Sequence, residues 1–413
     1  MTEMAGGSPT RGTGDAETGD VPLVARTDLR AELAEGGTPP CPQCGDTAPP
    51  AADGACATCG THRPALRDHV ELTLGDAAAV TDRGLRRRRN EDAVELGRRL
   101  DRGLETWVAV VCDGVASARR GDEASLVAVG AAVGAALETA AAPATPPTGF
   151  PVVSSTHDTG PIPVVGETEP DPDTPGRAGT GVGGELDALA TAASAAAATA
   201  AADLGHGGGD SPACTYVAAV VRGGDAVVSW VGDSRAYWLA ADGSSRLLTT
   251  DDSWAEEIAA AGIMSREEAA RDRRAHVLTR WLGRDAPGAP ARTRRVQVGV
   301  PGLLLLCSDG LWNHLPDPDV LARLAAPALG GDVPPPVPGA EDDELAGHAV
   351  LAAATALLAA ALDDGGSDNA TVALVPVVPP ADAGDRPSVA VDARGPDERT
   401  GPIPLDGRGV VDR

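Results

Sequence analysis

At 413 residues the chain is long enough for one large-cored domain with appended modules. A formal charge of −26 repels nucleic acid and acidic lipid, so neither is expected as a partner. Aromatic residues make up only 2% of the chain, so Val, Leu and Ala have to fill the core, while 51 glycines and 35 prolines imply long irregular segments. The start of the chain has no apolar h-region of a secretory signal, and the expectation is a cytoplasmic protein. The run 345–362 is Ala-rich, contains His348 and is flanked by acids, which suits a core helix and no membrane span.

Taken in order, residues 1–37 are rich in Gly, Thr and charge without periodicity and read as disordered. Residues 38–64 hold two C-x2-C pairs, Cys41/Cys44 and Cys56/Cys59, eleven residues apart and each followed by glycine. Four thiolates at that spacing suit a tetrahedral structural Zn²⁺, with His62 near enough to compete as a ligand. The other cysteines, Cys112, Cys214 and Cys307, lie in apolar runs and read as buried core residues.

From about residue 70 to 378 the pattern is that of one globular domain. Strands are expected within Glu71–Val80, at Glu91–Leu96 and at Trp107–Cys112, followed by an Ala-rich helix over Ser125–Ala142. Residues 143–184 are dense in proline and read as a low-complexity insertion. A second Ala-rich helix over Glu185–Leu204 precedes strands Cys214–Val221 and Ala226–Val231, joined by the tight turn Arg222-Gly223-Gly224-Asp225. A further hairpin follows at Ala236–Ala240 and Arg246–Leu248, then two short helical patterns about Gly262 within Ser253–Ala270, a candidate flap. Strands at Val296–Val300 and Leu303–Cys307, helices at Asp317–Leu324 and Asp343–Leu362, and a strand at Ala370–Val378 complete the domain. Residues 379–413 read as a disordered acidic tail. Antiparallel hairpins with helices grouped between them argue for layered sheets covered by helices, an α+β architecture.

Four apolar runs present an aspartate at one end: Asp113 after WVAVVC, Asp233 after AVVSWVG, Asp309 after LLLLCS and Asp368 before NATVALV. Each alone is compatible with an ordinary turn. If the strand ends converge, the carboxylates repel one another and must take up protons or cations. A site of hard oxygen donors favours Mg²⁺ or Mn²⁺.

The segment GLRRRRNED, Gly84 to Asp92, sets a cationic turn beside a carboxylate pair. With it come VVCDG, GDEAS (121–125), VGDSRAY (231–237), LLTTDDS (247–253), VLTRWLG (277–283), LLCSDGLW (305–312) and SDNATV (367–372). In that order, these segments resemble the bacterial type 2C metal-dependent protein serine/threonine phosphatases. The resemblance implies a four-layer α-β-β-α sandwich of two antiparallel sheets with a two-metal site where the sheets meet. It implies that Asp113 bridges the metals, with the Gly114 carbonyl on one of them, and that Asp309 and Asp368 hold the other. Glu91 would serve the first metal directly or through water, with Asp92 in support. Asp233 would hold a weaker third metal or form a turn, and Arg87 would bind the substrate phosphate. Arg86, Arg88 and Arg89 read as solvated. The implied activity is hydrolysis of phosphoserine and phosphothreonine by a metal-activated water, within bacterial kinase signalling.

The chain departs from the family pattern at Val115–Arg120, where a glycine-rich stretch is usual, at Asp252, where the family has histidine, and at Pro212–Thr215. These departures leave open an alternative, a catalytically weak or inactive scaffold or sensor that binds phosphoproteins. The zinc module suits recruitment of a protein partner.

Overall fold

The computed structural model describes residues 65–141, 182–204, 211–329, 342–381 and 386–392, apart from 102, 116, 117, 119 and 289. It also describes 23–31 and, within the cysteine module, 41, 43–48 and 55–61. The sequence expectations for residues 1–22, 143–181 and 393–413, and for His62, lie outside the described residues.

Two antiparallel sheets stack face to face. Edge to edge, the seven-stranded sheet runs Leu23–Arg26, Ala93–Asp101, Leu104–Cys112, Tyr216–Arg222, Asp225–Val231, Arg292–Val298 and Val389–Val391. The six-stranded sheet runs Arg246–Leu247, Arg235–Leu239, Gly302–Cys307, Ala370–Val377, Ala77–Asp82 and His69–Leu74. Along Trp107–Cys112 successive side chains point to opposite faces. Trp107, Ala109 and Val111 enter the core between the sheets with Leu304, Leu306, Ala373 and Val375. Val108, Val110 and Cys112 instead pack beneath the helices Gly121–Ala141 and Val182–Asp203. Both faces are therefore covered, which is why these strands read as unbroken apolar runs rather than alternating ones. On the far side Leu303, Leu305 and Cys307 pack under the helix Asp342–Asp363. The four layers are those expected.

Alanine in the covering helices allows close approach. A Cβ built at Gly97, on the strand beneath, would lie 2.6 Å from the Val133 side chain of the 121–141 helix, so the missing side chain makes room for Val133 and Leu137 on the strand. That helix is long and apolar enough to cross a membrane by length and composition, but its buried side, including Ala128, Val129, Ala132 and Val133, lies on the sheet.

Three segments differ from their sequence reading. Residues 23–31, assigned to a disordered N-terminus, add an edge strand, Leu23–Arg26, to Gly97–Leu100, and place Leu29 in the core at 0% exposure. Thr27 extends the pairing: its N–H donates to the Leu96 carbonyl and its hydroxyl accepts from the Leu96 N–H, both at 2.9 Å. Residues 389–391, assigned to the tail, pair with Val296–Val298 at the opposite edge. The strand expected at Val296–Val300 begins at Arg292, because its arginines are accommodated one by one. Arg294 stacks over Trp230 at 5.7 Å and Arg295 pairs with Asp187. Short segments of mixed polarity carry no periodic signal of their own, and an edge position in an existing sheet is what makes them strands.

Candidate active site

The strand Leu104–Cys112 delivers Asp113 to the lip of the sandwich, 7% exposed. Its N–H donates to the Thr215 hydroxyl at 3.1 Å and its carbonyl accepts from the Thr215 N–H at 2.8 Å. The Thr215 hydroxyl in turn lies 2.7 Å from that of Ser234. Gly114 donates its N–H to the Glu91 carbonyl at 3.2 Å, and a Cβ there would stand 2.7 Å from the Gly121 backbone and 2.8 Å from that carbonyl. Only glycine fits between these two chain segments.

Asp309 opens the short helix Asp309–Trp312 and accepts from the Asn313 amide at 3.2 Å. Asp368 precedes the strand Ala370–Val377 and accepts from Arg87 Nη2 at 2.5 Å. The Arg87 guanidinium is held strongly protonated by Asp368 first, with Asp309 and Asp113 adding to the field. Asp368 therefore contacts Arg87 directly, and Asp309 and Asp113 lie close enough to act on its charge. The structure places Asp233 in the turn after Val231, nearly buried, with its carbonyl accepting from Trp312 Nε1 at 2.9 Å.

Asp92 lies beneath this cluster at 0% exposure. Its Oδ2 accepts from the hydroxyls of Ser308 at 2.6 Å and Thr371 at 2.7 Å, while Oδ1 is buried without a hydrogen bond. Burial pushes its carboxyl up to about 7 against those two hydroxyls, and Asp309 and Asp368 push it the same way. Glu91 projects at the rim, where Arg89 Nε donates to it at 2.7 Å, so Arg89 is paired rather than simply solvated. Arg86 and Arg88 are exposed, as expected.

Sequence reasoning missed Asn369. Its Oδ1 accepts from the Glu91 N–H at 2.8 Å, and its Nδ2 donates to the carbonyls of Arg83 at 2.8 Å and Arg89 at 2.9 Å. One side chain thus staples the arginine turn to the loop carrying Asp368. Its adjacency to Asp368 within SDNATV was the available signal.

One departure from the family pattern, Asp252, has a local explanation. Asp252 is fully buried, accepts from Arg292 at 2.6 Å and Arg280 at 3.3 Å, and holds the Gly232 N–H at 3.0 Å. It is a structural ion pair beneath the Asp233 turn. Within 115–120, the one described residue with positive φ is Arg120 at 60°, a conformation costing an arginine about 1–2 kcal/mol. Its forked pairing with Glu123, Nε to Oε1 at 2.7 Å, opposes part of that cost. Asp251, one residue earlier than Asp252, takes a two-pronged contact from Arg235 at 2.7 and 2.9 Å, and that guanidinium stacks on Trp312 at 3.7 Å. The candidate flap forms helices Trp254–Ala260 and Arg266–Ala269 over a small cluster of its own, Trp254, Ile258, Ala269 and Val277.

Away from this site, Cys41, Cys44, Cys56 and Cys59 gather all four sulfurs within 4.8 Å, the one such ligand group among the described residues. Two turns of identical pattern build it. Gly45 and Gly60, at φ 73° and 72°, donate to the carbonyls of Cys41 and Cys56, each at 2.8 Å. The sulfurs of Cys41 and Cys59, and those of Cys44 and Cys56, lie 3.6 Å apart. A tetrahedral ion with bonds of about 2.3 Å to sulfur requires about 3.8 Å.

The family profile described as "Protein phosphatase 2C" matches residues 85–330. A serine/threonine phosphatase stp of Listeria innocua is 38% identical over 106 residues, 26% of this chain and 41% of that protein. A putative protein phosphatase 2C-type of Streptococcus pyogenes is 31% identical over 162 residues, 39% of this chain and 56% of that protein. The matched stretches thus span about half the length of these curated relatives, or less. Among solved structures, the serine/threonine phosphatase Stp1 from Staphylococcus aureus superposes with a TM-score of 0.50 at 19% identity, over 76% of this chain and 98% of that one. That likeness is one of fold. With a profile match over more than half of its length and the sandwich built as expected, the chain belongs to the protein phosphatase 2C family.

Proposed function

We propose that the protein is a metal-dependent serine/threonine phosphatase that removes phosphate from phosphoserine and phosphothreonine of proteins. The observation that carries this reading is the ion pair of Arg87 with Asp368 at the lip of the sandwich, with Asp309 and Asp113 near enough to add to the field at that guanidinium. The donor set is all oxygen, carboxylates plus the Gly114 carbonyl, and its chemistry fits Mn²⁺ or Mg²⁺. Asp113, Gly114, Glu91, Asp309 and Asp368 would hold two ions, with Asp233 a candidate for a third, and Asp92 would support them from below. Bound there, such ions supply an acidified water and Lewis-acid stabilisation of phosphoryl charge.

Arg87 contributes orientation. Its guanidinium already engages a carboxylate oxygen, Asp368 Oδ2, and phosphate oxygens offer the same charge-assisted contact. Asn369 keeps the arginine turn in register with the Asp368 loop, so the phosphate-binding and ion-binding groups stay in fixed relation. Thr215 and Ser234 hold the Asp113 backbone, which limits reorganisation when charge develops.

The test is hydrolysis of a phosphothreonine peptide by the purified protein. Turnover is expected with Mn²⁺ or Mg²⁺ and is expected to vanish on chelation; metal-independent turnover, or none with any divalent ion, overturns the reading. The substrates are assigned to a serine/threonine kinase pathway in the cytoplasm.

The four-cysteine module is assigned a structural Zn²⁺ and a recruiting role toward a protein partner. With so few apolar side chains, the binding free energy of the ion is its folding free energy. Replacing Cys41 and Cys56 by serine is expected to remove one equivalent of zinc, measured by mass spectrometry, and to make the module protease-sensitive. The melting temperature of the phosphatase domain is expected to stay within about 2 °C, because its core lies elsewhere. Retention of module protection without zinc would refute the assignment.

A further inference from the structure

We infer that Arg67 is a positioning residue for the metal-ligand loop, acting from outside the segment that matches the family. The inference rests on the phosphatase reading above. Arg67 sits in the short 3₁₀ turn Leu66–Asp68, between the four-cysteine module and the strand His69–Leu74. The family match begins only at residue 85.

Its Nη2 donates to the carbonyl of Asp92 at 2.9 Å, to that of Asp122 at 2.9 Å and to the hydroxyl of Ser125 at 3.2 Å. The Ser125 hydroxyl donates onward to the Glu91 carbonyl at 2.5 Å, the same oxygen that receives the Gly114 N–H. The Arg67 carbonyl accepts from the Asn90 amide at 3.1 Å, so both ends of the residue grip the 90–92 loop. A single guanidinium thus joins the Glu91–Asp92 segment to the first turn of the 121–141 helix and, one bond further, to Gly114.

Burial lowers the basicity of this guanidinium, while Asp122, Asp92 and Glu91 sustain its charge. Arg67 contacts backbone and hydroxyl oxygens, while the carboxylate of Glu91 bonds Arg89 and that of Asp92 bonds Ser308 and Thr371. It therefore fixes where ligand oxygens stand without competing for them, the role of an outer partner of a metal ligand.

The test compares wild type, Arg67→Met and Arg67→Lys, each with zinc retained in the four-cysteine module. Mn²⁺ alone is titrated calorimetrically, and kcat and KM for p-nitrophenyl phosphate are measured at saturating Mn²⁺. Arg67→Met is expected to weaken Mn²⁺ binding about tenfold or more, the usual effect of losing an outer partner, with KM for the ester within about twofold. Arg67→Lys is expected to recover most of the affinity, since an ammonium offers three donors to the same three oxygens. Should Arg67→Met fail to fold, Ser125→Ala cuts the same relay one bond later and is expected to weaken Mn²⁺ binding in the same direction. Unchanged or tighter Mn²⁺ binding in Arg67→Met, or in Ser125→Ala where it stands in, overturns the inference, as does equal weakening by methionine and lysine. Wild-type protein that neither binds Mn²⁺ nor depends on it overturns the phosphatase reading instead, so the two failures are distinct.

Discussion

Asp113→Asn is expected to lower kcat for a phosphothreonine peptide by about a thousandfold or more, equivalent to about 4 kcal/mol of transition-state stabilisation. The asparagine keeps the shape of the side chain, and the two backbone contacts to Thr215 do not involve the carboxylate. What is lost is one negative charge among Asp113, Asp309 and Asp368, and with it one of the donors proposed to hold divalent ions. Stability is expected to hold or rise slightly, because clustered carboxylates repel in the absence of cations. The informative pair of measurements is therefore kcat with a melting curve: activity collapses while the melting temperature does not fall. A variant retaining more than about a tenth of wild-type kcat would remove Asp113 from the site assigned to it.

Gly84→Ala is expected to damage both stability and activity, at a position that carries no chemistry. Gly84 has φ +72°, and a Cβ there would lie 2.0 Å from the Asp368 carbonyl oxygen and 2.8 Å from its carbon. Both neighbours are backbone, so relief requires moving the Asp368 loop away from the arginine turn. The expected loss of stability is about 3 kcal/mol or more, combining left-handed strain with the clash. Mn²⁺ binding weakens as Asp368 shifts. Gly103 supplies the control: its φ is +76° but nothing lies within 4 Å of a built Cβ. Gly103→Ala therefore costs only the conformational term, about 1–2 kcal/mol, and leaves Mn²⁺ affinity unchanged. Equal effects from the two substitutions, read by thermal denaturation and Mn²⁺ titration, would show that the approach of Gly84 to Asp368 is not the cause.

The N-terminal strand changes how the cysteine module can be studied. Deleting residues 1–66 would remove the module, but it would also strip the strand Leu23–Arg26, empty the Leu29 position from the core and cut into the turn that precedes His69. Serine substitution of the cysteines separates the questions, because it leaves these docked residues in place.

Much of the site was legible because its chemistry is written in contiguous segments. An apolar strand ending in aspartate is a local pattern, and WVAVVCDG, LLLLCSDG and DNATVALV each show it without reference to the others. The two cysteine turns were legible for the same reason, since each C-x2-C-G closes within five residues. The edge strands Leu23–Arg26 and Val389–Val391 were not legible. Their pairing partners, 97–100 and 296–298, lie some seventy and ninety residues away in sequence, and nothing within so short a segment records such a partner. Asp252 was visible only as a departure, because the arginines that neutralise it, Arg280 and Arg292, are brought to it by the fold.

The sequence by itself determined which residues could do the chemistry: the aspartates at strand ends, the arginine turn and the four thiolates. Residue type and short-range spacing are local properties, and they suffice to nominate candidate ligands and a candidate phosphate-binding cation. Only the tertiary structure decided how those residues are held. Asn369 spanning from Glu91 to Arg83 and Arg89, Thr215 behind Asp113, and Arg67 behind Asp92 and Ser125 are polar contacts between segments remote in sequence. A buried hydrogen bond depends on distance and direction in three dimensions, and these exist only once the two sheets have stacked and brought their strand ends to one lip.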